Sequence, residues 1–415
     1  MTAFGLLRDL KNPLAAPPAG GAAGPTVGTY VGIDRAVGGL RATATRRFGS
    51  SPSLPVLTFG ADVQRMRDNR DNRVAFAGVA SDSVVLDQRE LITEVGPFAQ
   101  LQWTPDHRFL ASGGARYDRV RFDVADRHLS DGVDNSGART MSALSAQVGI
   151  SYQVGEPFIP YVNVSTSFET PTTTELVNQP GSTGGFNTEL DPQRAVNYEV
   201  GARGRVSHRL TYSAAFFLGR VRDAIVQVEE VGGRAFFRNA GRTHNDGAEF
   251  GLSLSPVPAV TLIGSYTYAH YRFADYKVVS GETVDTLDGN RLPGVPEHFW
   301  RIGLRGGLPY GFYVDGDHTI STSVAANDAN TLFADAWGAG VTNLRLGWDG
   351  PVGAVQIAPF IGINNLWDRR YVASVTLNGA GGRVFEPAPR RVLYIGTEIG
   401  YRTGAEHGSA SASQQ

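Results

Sequence analysis

Between Val196 and Val228 the chain alternates apolar and polar residues over two long runs, and this restricts its possible folds more than any other feature. Val196, Tyr198, Val200, Ala202 and Val206 fall on one face, interrupted by Gly204. Asn197, Glu199, Arg203 and Arg205 fall on the other, with Gly201 among them. After a polar turn at Ser207-His208, Leu210, Tyr212, Ala214, Phe216 and Leu218 alternate with Thr211, Ser213, Ala215, Phe217 and Gly219. Successive side chains of a strand point to opposite faces of its sheet, so each run predicts a strand with one oily and one polar face. Soluble strands run about 5–6 residues. Each run here holds at least about 10, enough to cross a membrane obliquely. A wall between lipid and a watery lumen fits this pattern. A long-stranded soluble sheet fits it too, and the hairpin alone leaves both open.

Composition is compatible with the wall. Apolar residues make up 41% of the 415, yet no run approaches the roughly 18 continuous apolar residues of a membrane helix. A transmembrane barrel spreads its apolar residues over alternate positions instead. The 51 glycines and 10% aromatic content suit many strands, many turns and interfacial rings. A net charge of -2 gives no reason to expect nucleic acid as a partner. The absence of Cys removes disulfides, Cys-based metal sites and thiol catalysis together. At the N-terminus, Phe4-Gly5-Leu6-Leu7 is too short for a signal-peptide core and Asp9 follows at once. With Asn12 to Pro18 and the Gly/Ala run beyond, residues 1–28 read as a flexible loop-like segment. The tail, residues 402–415, is polar and reads as disordered.

Between these ends, residues 29–401 hold about fifteen strand-like runs by alternation and turn punctuation. Their connections alternate in length. Short ones fall at Thr104-Pro105-Asp106, Gly155-Glu156-Pro157, Ser207-His208, Pro256-Val257-Pro258 and Asp349-Gly350-Pro351. Long ones cover Ala125 to Arg139, Thr170 to Arg194, Ala274 to Glu297, Ala325 to Gly340 and Asp368 to Arg390. Val231-Gly232-Gly233 breaks the rule, being short where a long loop is expected. A soluble sandwich has no reason to sort loops by parity, whereas an outer-membrane barrel has short periplasmic turns and long extracellular loops. An odd strand count would make first and last strands parallel. The chain would then start on the extracellular side and form only part of a closed barrel.

Several segments resemble the β-barrel domain of TonB-dependent outer-membrane receptors. Asn365-Leu366-Trp367-Asp368-Arg369-Arg370-Tyr371 is similar to that family's N-L-F-D-x-x-Y segment. Asn239-Ala240-Gly241 through Asp246-Gly247-Ala248-Glu249 resembles N-x-G…G-x-E. Leu190-Asp191-Pro192-Gln193 with Asn197-Tyr198-Glu199-Val200-Gly201 resembles L-x-P-E…Y-E-x-G. Ser167 to Thr172 with Glu175-Leu176 resembles F-x-T-P-x…E-L. Gly96 to Gln100 with Ala115 to Asp118 resembles G-x-F-x-Q…G-x-R-Y-D, and Leu292 to His298 resembles P-x-x-P-x-H. Tyr401 takes the register of the family's final aromatic residue. The resemblance implies a Gram-negative outer-membrane location in contact with outer-membrane lipid. It also implies an all-β transmembrane antiparallel barrel, here the C-terminal part of one with roughly 22 strands. The function it implies is TonB-energised uptake of a scarce nutrient, a ferric siderophore above all. The family's N-terminal plug, through which TonB acts, has no counterpart in this sequence, so a truncated form is expected. A passive porin and a surface adhesin using the long loops are the alternatives.

No catalytic constellation emerges, and neither enzyme activity nor a cofactor is expected. Asp123, Asp126, Asp131 and Asp134 surround one long loop but fit no EF-hand spacing. The His residues lack paired zinc spacing, and no G-x-S-x-G elbow occurs. Asn365 to Tyr371 reads as a strand-end cap with Trp367 and Tyr371 at the interface. Tyr161, Asn163, Ser165, Ser167 and Glu169 form one polar strand face and are lumen or ligand candidates by position. Arg203 and Arg205 join them, with Arg220 and Arg222 expected to face the same way or to pair with Glu199 or Asp223.

Overall fold

The computed structural model describes residues 1–16, 27–177, 185–231, 234–280, 283–334, 340–352, 355–379 and 384–401. In chain order the strands are β1 (Thr2–Ala16), β2 (Val27–Arg47), β3 (Val56–Phe76), β4 (Val79–Trp103), β5 (Phe109–Asp126), β6 (Gly137–Tyr152) and β7 (Ile159–Glu169). A one-turn helix, α1 (Thr173–Leu176), precedes β8 (Gln193–Ser207), β9 (Leu210–Val231), β10 (Arg234–Val257) and β11 (Val260–Asp275). Then come β12 (Lys277–Ser280), β13 (Thr283–Thr286), β14 (His298–Gly307), β15 (Phe312–Ser321), β16 (Val324–Ala325), β17 (Phe333–Ala334) and β18 (Val341–Trp348). The last are β19 (Gly350–Val352), β20 (Val355–Asn364), β21 (Val372–Val375), β22 (Phe385–Pro387) and β23 (Val392–Tyr401).

Seventeen of these form one sheet in which each strand pairs antiparallel with the next along the chain. β18 and β19 both pair with β20 and are two pieces of one crossing, so the wall is crossed sixteen times. The hairpins β12–β13, β16–β17 and β21–β22 lie in the long connections.

Two expectations are corrected. Residues Thr2–Ala16 are not a loop: they pair with β2 from Thr2↔Arg41 to Ala16↔Val27. Adjacent Leu6 and Leu7 hide the alternation there. Pro13 is tolerated because β1 has β2 as its one neighbour among the described strands, and an edge strand can lack an N–H donor on its open side. The added strand also makes the crossing number even. β1 and β23 therefore run in opposite directions, and Thr2 and Tyr401 both lie at the short-turn end. No pairing joins β1 to β23 among the described residues. The expected disordered tail, 402–415, lies outside them.

The sorting of connections holds, including its apparent exception. β9 and β10 are 22 and 24 residues long, and β3 and β4 are 21 and 25. About 9–11 residues suffice to cross lipid, so both hairpins continue past the wall on the long-loop side. The 231–233 turn is brief because its length is already in the strands; residues 232–233 lie outside the described set.

Register makes the two faces explicit. Gln100, Gly114, Gln147, Ser165, Asn197, Gly219 and Asn245 stand opposite one another in a row across β4–β10. On the other face, Trp103, Ala111, Ile150, Val162, Val200, Phe216, Ala248 and Tyr268 form a parallel row. Val162, Val200 and Phe216 are exposed, as are Leu144, Val148, Ile302, Ile361 and Ile395. An exposed apolar band backed by a polar inner row is the surface of a membrane wall, with lipid outside and a polar interior within. Two dry clusters occur among the described residues, both reaching toward the long-loop end: Val120, Phe122, Met141, Leu176 and Leu190, and Ala224, Val226, Phe273 and Tyr276.

Candidate functional site

The inner wall falls into zones. On β2–β5, Arg41 bonds Asp62 at 2.5 Å, while Arg116 bonds Asp62, Asp118 at 2.6 Å and Glu94 at 3.4 Å. On β6–β8 the inner wall is rich in hydroxyl and amide side chains. The candidates Tyr161, Asn163, Ser165, Ser167 and Glu169 all lie there, facing Gly201, Glu199, Asn197, Ala195 and Gln193 of β8. Gln193 donates to Glu169 at 2.6 Å. Arg203 and Arg205 share this face toward the short-turn end and line a groove of about 440 Å³ with Glu156.

Arg220 and Arg222 do not join them. Arg220 stands opposite Val196, and Arg222 opposite Arg194, on the outward face that carries Phe216 and Leu218. Arg220 pairs there with Asp246 of β10. Period two alone places them outward. Charge alone therefore does not mark the lumen face here.

Inner-face aromatic rings lie across glycines of adjacent strands. Tyr161 covers Gly201, Phe217 covers Gly247, Tyr313 covers Gly347, Phe360 covers Gly396 and Tyr394 covers Gly362, each directly cross-strand. A Cβ on Gly201 would stand 2.6 Å from Cζ of Tyr161, so a side chain there would lift the ring into the lumen. Glycine weakens a strand interior, and the ring restores cross-strand contact while keeping the channel clear.

Over the long-loop end the described parts of the connections form a hydrogen-bonded layer. The segment after β7 turns inward at α1. Thr172 caps α1 in a capping box with Glu175. Thr173 donates its hydroxyl to Glu90, which is 1% exposed and also receives Arg70 at 3.1 Å and Gln88 at 2.5 Å. Arg70 donates to Thr174 at 2.8 Å. Farther on, Asn187 donates to the Phe237 carbonyl at 3.2 Å and Asn239 to the Asp191 carbonyl at 2.8 Å. The strap therefore has anchors on β4 and on β10.

A second set joins the connections after β11, β15 and β20. Tyr276 donates to Asp328 at 3.2 Å, Asn290 to the Asp328 carbonyl at 2.9 Å, and the Asp328 N–H to Asn378 at 3.0 Å. Burial raises the Asp328 carboxyl above its usual range, against the Asn378 and Tyr276 bonds. Burial likewise pushes the Tyr276 hydroxyl up.

Asn365 to Tyr371 forms the cap at the end of β20. Asn365 is 2% exposed with φ 54. Its amide donates to the Arg369 carbonyl at 2.8 Å and its side-chain oxygen accepts the Arg369 N–H at 2.9 Å. The Leu366 N–H donates to the Thr342 carbonyl, Trp367 Nε1 to Thr342 Oγ1, and the Ala388 N–H to the Tyr371 carbonyl. Asp368 accepts Arg390 at 2.6 and 2.9 Å and the Arg391 N–H at 3.0 Å, which holds its carboxyl down at about 2. Tyr401 stands opposite Val355. The loop aspartates serve their own turns: Asp126, Asp131 and Asp134 accept nearby backbone N–H groups and Asp123 pairs with Arg121. The described residues contain no metal-binding cluster.

A wall of this kind, polar within, oily without and covered at one end by packed loops, is the wall of a transmembrane β-barrel. The family model described as "TonB dependent receptor-like, beta-barrel" matches residues 11–366, and the chain belongs to that family. The chain is 23% identical over 342 residues to the ferrioxamine receptor of Yersinia enterocolitica, covering 76% of this chain and 44% of that protein. Its fold matches that of the ferric citrate transporter FecA (TM-score 0.72, 15% identity, 96% of this chain and 58% of that one). It also matches the ferric yersiniabactin uptake receptor FyuA of Yersinia pestis (TM-score 0.67, 19% identity, 91% and 55%). The chain thus spans about half the length of these relatives.

Proposed function

We propose that the chain is barrel wall of an outer-membrane receptor that takes up a ferric siderophore with energy from TonB. The observation that carries this reading is the strap after β7. It is anchored on both sides of the mouth and roofs a hydroxyl- and amide-lined inner wall, an arrangement for capturing a polar solute above a lumen. Tyr161, Asn163, Ser165, Ser167 and Glu169 would contact ligand or an inner domain, and Arg203 and Arg205 would act lower in the passage. TonB would act through a plug domain of the whole receptor. Ferrioxamine is the first ligand to test, because the Yersinia enterocolitica relative is named for it.

The experiment is uptake of radiolabelled ferrioxamine by cells lacking their own receptor and expressing the whole receptor built on this wall. Uptake abolished by loss of TonB is expected. TonB-independent entry would establish a passive porin instead, and cell attachment without uptake an adhesin.

A further inference from the structure

The inner wall of β14–β18 holds a depression that the uptake reading does not use. Gly303 forms its floor, with Arg301 and Arg305 on either side of it along β14, and the cavity measures about 470 Å³. Asp315 and Asp317 line it from β15, and Asn343 and Arg345 from β18. The acids are already engaged: Asp315 accepts Arg305 at 3.0 Å and Asp317 accepts the Asn343 amide at 3.3 Å. Arg301 and Arg345 have no carboxylate partner among the described residues.

Arg345 is also held in place. Its register partner is Asp315, yet its guanidinium lies on Phe360, 3.7 Å from the ring centroid and 5.7 Å from that of Tyr313. Its Nε is buried without a hydrogen-bond partner. Phe360 in turn is supported over Gly396. A guanidinium seated over a ring can still donate from its two terminal amino groups, and that pair matches a planar two-oxygen acceptor.

We propose that this depression is a carboxylate-binding subsite, with Arg345 and Arg301 as the charged donors and Asn364 and Tyr394 on its margin. Three arginines against two engaged aspartates leave one positive charge, which suits a single carboxylate better than a dianionic phosphate. The inference rests on this face lining the lumen and assumes no particular transported ligand. The carboxylate could belong to a soluble acid or to a polypeptide segment seated in the lumen.

Arginine modification by phenylglyoxal, read by peptide mass spectrometry on the whole chain in detergent, tests the site. Millimolar succinate should slow labelling of Arg301 and Arg345 by about tenfold, as a charge-assisted pair would. Succinamide and sodium chloride at matched ionic strength should not. Arg345→Met should remove the protection of Arg301, and Arg345→Lys should weaken it. In intact outer membranes, labelling that is already slow without added acid identifies a protein carboxylate; labelling slowed only by succinate identifies a soluble one. Equal labelling with succinate and chloride, or equal protection by inorganic phosphate, overturns the proposal.

Discussion

Phe360 of β20 and Gly396 of β23 stand directly opposite each other, and the ring lies over the glycine. One row away the arrangement is reversed, with Tyr394 of β23 over Gly362 of β20. The two rings meet edge to face with centroids 6.2 Å apart. Gly396→Ala should therefore lift Phe360 and destabilise the wall by about 1–3 kcal/mol, the usual effect of overfilling a packed site. The nearest atoms to a Cβ on Gly396 all belong to Phe360, so Phe360→Ala in the same chain should recover part of the loss. Thermal unfolding of the four-member cycle in detergent measures this. Additive single effects would show that the ring does not rest on the glycine.

Glu90 fixes the strap to the wall. It is buried and receives Arg70, Gln88 and Thr173. Glu90→Ala would strand a half-buried guanidinium and a buried amide, at a cost of about 3–5 kcal/mol for breaking such a pair. The expected result is faster proteolysis around α1 with the β5–β8 wall still resistant. Thr173→Ala should move cleavage the same way by a smaller step. Unchanged cleavage in both would show that the strap is held by its apolar cluster instead.

A two-residue period is visible in the sequence, whereas contacts between distant partners are not. The inner face of β7 and β8 is legible because Tyr161 to Glu169 and Asn197 to Arg205 keep strict alternation across the lipid. The side of the long loops is legible from connection length. β1 is not, because Leu6-Leu7 and Pro13 obscure its pattern and its pairing with β2 is what defines it. Arg220 and Arg222 mislead because their charge suggests the lumen, while period two from Phe216 and Leu218 sets them on the outward face. The strap is invisible for another reason: Glu90 and Thr173 are 83 residues apart, and no local pattern joins them.

Sidedness can be tested residue by residue. Val200 faces out and Ser165 faces in. An arginine on the lipid face near mid-bilayer costs about 2–4 kcal/mol, whereas one in a watery lumen costs little. Val200→Arg should lower the unfolding free energy, measured by urea titration in lipid vesicles, by an amount in that range, and Ser165→Arg should leave it nearly unchanged. A reversed order would place the lipid on the wrong face of the sheet.

Two loop carboxylates should respond to pH with opposite signs. Asp368, held down at about 2 by Arg390 and the Arg391 N–H, binds its proton less readily in the cap than in an unfolded chain. Its contribution is present above the ordinary carboxylate range and lost as pH falls toward 2. Asp328 is raised by burial, so it takes up a proton more readily in the folded layer. Its contribution is complete below the ordinary range and declines as pH rises through the raised value. Hydrogen exchange, corrected for intrinsic rate, should show residues 365–371 loosening in acid while residues 276, 290 and 326–332 tighten. Asp368→Asn should remove the first trend. Asp328→Asn, uncharged at every pH, should remove the second and make the layer more protected at neutral pH. If exchange in both segments moves in the same direction with pH, burial is not what separates the two carboxylates.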